Sequence, residues 1–200
     1  MSHNYSPQGR ISRRFLRIGG GLLLCFLATI AGAAAPTESS LRIRSTQVTV
    51  DEDVYELDAR LDLQLPQEAR QAIDAGVTLR LTYQIEVNRV RRYMPDAGVA
   101  SVEQRFELSY HALSQRYLVR NLNTGEQQDF GALDAALDRL GDVHGLPILD
   151  TALVTKGPTF EGRIRAVLDM NTAPDTFGWL LFWTDDWSAE SEWHTWTLRP

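Results

Sequence analysis

A single cysteine, Cys25, is the only thiol in 200 residues, and it lies within an apolar stretch near the N-terminus. Without that stretch the chain has no thiol, which excludes disulfides, cysteine-ligated metals and cysteine nucleophiles. Hydrolytic elbows are missing as well, since neither G-x-S-x-G nor S-x-x-K occurs. There is no H-E-x-x-H, no P-loop and no G-x-G-x-x-G, and Gly19 to Gly21 sit inside the apolar stretch. His111, His144 and His194 are scattered singly, without metal-ligand spacing. With 14 Gly and 8 Pro the chain is neither collagen-like nor low in complexity. At 44% hydrophobic and 23% charged residues, it is an ordinary globular sequence, long enough for one domain with its own core.

Charge divides along the chain. Residues 1–35 carry Arg10, Arg13, Arg14 and Arg17 and no acid, leaving 16 basic against 26 acidic residues beyond them. So acidic a body disfavours nucleic-acid backbones, which reward dense positive charge. The arginines precede an uncharged run from Ile18 to Ala35 that ends in Ala31-Gly32-Ala33-Ala34-Ala35-Pro36. A basic n-region, a short apolar h-region and small residues at the end describe a secretory signal peptide cut after Ala33. The alternative is an inner-membrane anchor formed by residues 18–35, because 18 apolar residues reach the lower limit for a span. Ser12-Arg13-Arg14-Phe15-Leu16 approaches the twin-arginine export pattern with imperfect spacing. Cys25 is followed by more of the apolar run, which argues against a lipidation site.

The body reads as strands. From Val54, Tyr55, Leu57, Ala59, Leu61, Leu63 and Leu65 alternate with Glu56, Asp58, Arg60, Asp62 and Gln64, as in a half-buried antiparallel strand. Pro66 opens a helical segment over Gln67 to Ala75 and Gly76 stops it. The longest period-two run follows, with Val77, Leu79, Leu81, Tyr83, Ile85 and Val87 on one face, and belongs near the middle of a sheet. Further strands are predicted at Leu41–Val50, with a bulge where the apolar phase slips between Ile43 and Val48, and at Val102–Tyr110, Arg116–Leu122, Thr159–Leu168 and Glu192–Arg199. Phe130, Leu133, Leu137 and Leu140 form a helical stripe, with Asp129 as N-cap and Gly141 as stop, lidding one end of the fold.

Four groups of residues are candidates for chemistry. Asp51-Glu52-Asp53 and Asp185-Asp186 are paired carboxylates, but adjacent acids on a loop point apart, unlike the facing pair that acid–base hydrolysis needs. Asp185, Asp186 and His194 are the nearest approach to a metal or hydrolase cluster, which a capped turn and a strand-edge imidazole explain equally. Arg89, Arg91 and Arg92 follow the long strand. Were it unbroken, Arg89 and Arg91 would occupy the buried phase, so the strand must end or bulge there and turn the guanidiniums outward. That makes a basic patch able to grip a carboxylate or phosphate, or to pair with nearby acids. Finally, Trp179, Trp183, Trp187, Trp193 and Trp196 all fall in the last 22 residues. Trp193 shares a face with Thr195 and Thr197, and Trp196 with His194 and Leu198. Both rings cannot enter one core layer of a regular strand, so one lies at the surface or against the helix, where a sugar, peptide or lipid edge can stack; the alternative is a structural aromatic cluster closing one end of the fold.

Several residues taken in order resemble a known family. They are Leu61-Asp62-Leu63-Gln64-Leu65-Pro66 with Ala72 and Gly76-Val77, then Arg89 and Arg91 with Tyr93, then Leu108-Ser109-Tyr110-His111-Ala112-Leu113 and Tyr117. Arg165, Leu168-Asp169, Asp186-Trp187 and Ser191-Glu192-Trp193-His194-Thr195-Trp196 complete the series. Their order and spacing are similar to the proteobacterial exported family catalogued as domain of unknown function 4390. The resemblance implies a short exported protein without an assigned activity, working beside a membrane sensor histidine kinase. It supplies no catalytic residues. Met94 and Pro95 stand where that family tends to carry further aromatics.

The sequence therefore predicts a mainly β chain: an antiparallel β-sandwich (immunoglobulin-like) with one short and one medium helix on its ends. Residues 1–33 are expected to form the signal peptide, 34–40 a flexible mature N-terminus and 41–200 a single sandwich domain. The expected function is a non-enzymatic periplasmic binding module for an envelope protein or membrane-protein ectodomain, using Arg89, Arg91, Arg92, Trp187, Trp193 and Trp196. No catalytic residue, metal, cofactor or nucleic acid is expected, nor a membrane span in the mature domain. The alternatives are a cell-envelope hydrolase or carbohydrate-binding protein using the C-terminal Asp/His/Trp cluster, and a structural accessory subunit anchored by an uncleaved N-terminal segment.

Overall fold

A computed structural model describes residues 40–155, 157–171 and 188–198, all within one compact unit, Pro36–Pro200. Among the described residues the chain is mainly β, with strands β1 (Ser40–Asp51), β2 (Val54–Gln64), β3 (Thr78–Arg89), β4 (Ala97–His111), β5 (Arg116–Asn121), β6 (Gln127–Phe130), β7 (Asp142–Asp150), β8 (Phe160–Asn171), β9 (Ser188–Glu190) and β10 (His194–Leu198). Helix α1 (Gln67–Asp74) joins β2 to β3, and α2 (Leu133–Leu140) joins β6 to β7. All strand pairing is antiparallel. The smaller sheet has the order β1-β2-β7 and the larger β10-β8-β3-β4-β5-β6, with β9 also on β8. No described helix is long and apolar enough to cross a membrane.

The period-two run from Val77 becomes the central strand. β3 pairs with β4 and β8 along its whole length, and its inward residues Leu79, Leu81, Tyr83, Ile85 and Val87 are essentially inaccessible. They share one buried core with Tyr55, Leu57, Ala59 and Leu61 of β2. The register of β1 on β2 shifts between Ile43 and Ser45, at the predicted phase slip. β1 approaches β8, while β7 approaches β3 and β4, so the three-stranded sheet covers only part of the larger one. On one flank α2 packs against β5, β6 and β7, burying Leu133, Ala136, Leu137 and Leu140. On the other, β10 reaches one strand beyond β8.

Two backbone contacts fix α2. The Tyr83 hydroxyl, deep in the core, donates to the Leu140 carbonyl at 2.7 Å, and burial pushes its pKa far up, so it stays a neutral donor. Gly141 follows, where a Cβ would stand 2.6 Å from the Leu61 carbonyl oxygen; the Leu61 amide donates to the Gly141 carbonyl at 2.8 Å. Only glycine permits so close an approach.

The chain departs from the predicted pattern at the start of α2 and in three strands. Asp129 is not the cap of α2: it lies in β6, opposite Leu118, and forms an ion pair with Arg116, while Ala132 stands at the cap position. The β5–β6 ladder claims the residue before the helix can. β6, β7 and β9 were not foreseen. In β7, Gly145 at φ 55, Pro147 and two register shifts against β2 break the alternation that would mark a strand; as the sheet's edge, β7 tolerates a proline.

Candidate functional site

The three arginines separate. β3 stays in register with β8 to its last residue, where Arg89 opposes Phe160, and the bulge falls instead on the β4 side, between Val87 and Asn88. Arg89 therefore keeps the inward phase, contrary to the expectation that it turns outward. Its guanidinium carbon lies 5.5 Å from the centre of the Phe160 ring, and its Nε is buried with no hydrogen-bond partner among the described residues. An arginine is tolerated there because its stem lines the mouth of the sandwich while the head rests on a π-face. Arg89 is thus a packing residue.

Arg91 and Arg92 lie beyond the strand and are exposed. They share the β3–β4 connection with Tyr93, 91% exposed, Met94, 63%, and Val90, 41%. Two bonds shape this tip: the Val90 amide donates to the Thr159 carbonyl at 2.9 Å, and the Arg91 amide to the Asp96 carboxylate at 3.0 Å. None of the ion pairs among the described residues involves Arg91 or Arg92. The β1–β2 turn is at the same end, where the Thr151 amide donates to the Asp53 carbonyl at 2.9 Å. Exposed Val50 and Leu153 lie at this same end of the sandwich. Leu113, also exposed, sits on the β4–β5 turn at the opposite end.

The acidic triplet is explained by the turn. Glu52 and Asp53 have φ of 43° and 70°, the positive values that a two-residue type I′ connection between β1 and β2 demands. They are exposed turn residues.

A bulge decides which tryptophan turns inward. β9 pairs Glu190 with Val167 and β10 pairs His194 with Ile164, so four steps on one strand match three on the other. The extra residue falls at Ser191–Trp193, where Ser191 exchanges bonds with Ala166 through its amide and its Oγ, each 2.9 Å. That insertion flips the phase of everything after it. Trp196 consequently faces inward and lies over Gly162, packed against the core. Trp193 faces outward, its ring centre 4.5 Å from the Arg163 guanidinium and 4.8 Å from that of Arg165. Those arginines are held by Glu86 at 2.5 Å and by Glu190 at 2.7 Å. Trp187, Asp185 and Asp186 lie outside the described residues.

Other titratable groups are structural. His144 contacts Asp142 at 2.8 Å and Asp58 at 3.5 Å on the outer face of the small sheet. The Tyr117 hydroxyl donates to Asp74 at 2.6 Å, and that bond, chiefly, pushes its pKa up to about 12. Asp169 is raised by burial, an effect that Arg80 opposes. Among the described residues no group of three or more His, Cys, Asp or Glu is placed to hold a metal ion.

The family model described as Domain of unknown function (DUF4390) matches residues 38–197. The chain belongs to this family. In this DUF4390 chain the match spans both sheets, the hairpin tip and the Trp193–Trp196 strand. Neither the curated proteins nor the solved structures compared with it include a match.

Proposed function

We propose that this chain is a non-enzymatic binding module of the periplasm, which meets the ectodomain of an envelope protein through the tip of the β3–β4 hairpin. The observation that carries the reading is the grouping of Arg91, Arg92, Tyr93 and Met94, all exposed, on one connection braced by the Val90 amide on the Thr159 carbonyl and the Arg91 amide on the Asp96 carboxylate. Tyrosine and arginine are the residue types that dominate interface energies, and a braced loop loses little freedom on docking. Arginines that enter no ion pair among the described residues, on an acidic body, select an acidic partner surface. The arginine-rich, apolar N-terminal sequence supports export, and the family resemblance makes a membrane sensor histidine kinase the partner class. Arg89, Trp193 and Trp196 support the tip and its sheet and make no partner contact in this reading.

The test is quantitative capture of envelope proteins on the tagged full chain, wild type against Arg91→Glu with Arg92→Glu. Both side chains are exposed, so the fold is retained. A partner captured by the wild type and lost by the variant supports the reading; an unchanged set of captured proteins overturns it.

A further inference from the structure

We infer that the flank between β1 and β10 receives an extended segment of a partner protein, added as a strand alongside β1 with an acidic side chain directed at Arg42. This surface is separate from the hairpin tip, and the inference stands without it. β1 is the outermost strand of the small sheet and β10 of the large one. Among the described residues β1 pairs with β2 alone and β10 with β8 alone. Between them lies a cleft of about 810 Å³, walled by the consecutive residues Leu41–Arg44 with Asp62 on one side and Glu192–His194 on the other. That size is within the usual range for binding sites.

The consecutive numbering is informative. Successive side chains of a strand point to opposite faces, so a cleft that touches four in a row runs along the strand's backbone edge. An edge offers unpaired N–H and C=O groups, the template for strand addition. Layer geometry agrees. A strand added to β1 would lie about 4.8 Å from it and about 10 Å above the large sheet. It would lie over the His194 end of β10, beyond Trp196 and Leu198, which already pack on or in the core, much as α2 lies over β5 and β6 on the other flank. The apolar phase toward that layer is set by Leu41 and Ile43, both part of the core or packed on it.

Charge selects the occupant. Arg42 stands opposite Asp62 in the ladder, but the Asp62 carboxylate is engaged by Arg44. Arg42 is exposed and belongs to none of the ion pairs among the described residues. A residue directly across from it on an added strand would be within side-chain reach, and a carboxylate there would complete the pair.

The probe is an end-capped heptapeptide alternating threonine and valine with a central glutamate, titrated into isotope-labelled full chain and followed by amide shifts. Shifts are expected at 41–44 and 192–194 and not at 90–96. Replacing the central glutamate by lysine should weaken binding about tenfold, in line with exchanging an attractive for a repulsive surface pair. Arg42→Glu, at an exposed position, should reverse that preference. Absence of shifts at the flank, or a preference indifferent to Arg42→Glu, overturns the inference. So does concentration-dependent dimerisation with the same amide shifts and no peptide binding, which would give the flank to a second copy of the chain.

Discussion

Gly162→Ala is a test whose sign depends on the bulge at Ser191–Trp193. In an open strand, exchanging glycine for alanine restricts the unfolded chain and stabilises by about 0.5–1 kcal/mol. Gly162 has no positive φ to protect, so without an obstacle this gain should appear. The obstacle is Trp196: a Cβ at residue 162 would stand 2.3 Å from its Cε2 and 2.4 Å from its Cζ2. The ring cannot swing outward without leaving the core, and β8 is held by β3 and β10 on either side. Overpacking of this kind costs about 1–3 kcal/mol, which for a domain of this size lowers Tm by roughly 2–4 °C per kcal/mol. Urea melts of Gly162→Ala, Trp196→Ala and the double variant should show coupling of about 1–3 kcal/mol, with alanine at 162 neutral or stabilising once the indole is gone. A stabilised Gly162→Ala in the Trp196 background would refute the inward phase and the bulge that produces it.

Three other outcomes follow from the same geometry. Tyr83→Phe leaves the Leu140 carbonyl buried without its donor and should cost about 1–3 kcal/mol in urea unfolding. Tyr117 should titrate near 12 by its ultraviolet phenolate band. Because its folded pKa lies above the ordinary value near 10, the stability it contributes is complete below pH 10 and is lost as the pH rises through 12; Tyr117→Phe should flatten that part of the stability profile. Glu52→Asn with Asp53→Gly supplies the residues a type I′ turn prefers and should raise stability by about 1 kcal/mol, measured as an increase in Tm.

The parts of this molecule legible in sequence are those where one pattern runs uninterrupted. β2 and β3 keep a strict period of two because each has one face on the core, and α1 is bracketed by Pro66 and Gly76. The slip near Arg44 announced a bulge because an apolar phase must be restored after an inserted residue. β7 stayed hidden because glycine, proline and two register shifts erase alternation on an edge strand. Arg89 was misplaced by a rule that treats charge as outward, although a long stem with a π-stacked head fits an inward position at a sandwich mouth. The exclusive placement of Trp193 and Trp196 was readable, but which ring turns inward was not, since the bulge at Ser191–Trp193 sets that phase without any glycine or proline to mark it. At the tip, Arg91 and Arg92 were visible as a patch. Tyr93 and Met94 join them only through three-dimensional exposure.

The most direct measurement is site-specific photocrosslinking in cells, with a benzophenone amino acid placed at position 93 and, as the control, at equally exposed position 113 on the opposite end. The account predicts a discrete adduct with an envelope-protein ectodomain from position 93, absent from position 113 and lost when Arg91 and Arg92 are changed to glutamate. Equal adducts from both positions, or one from position 93 that survives the charge reversal, would contradict it.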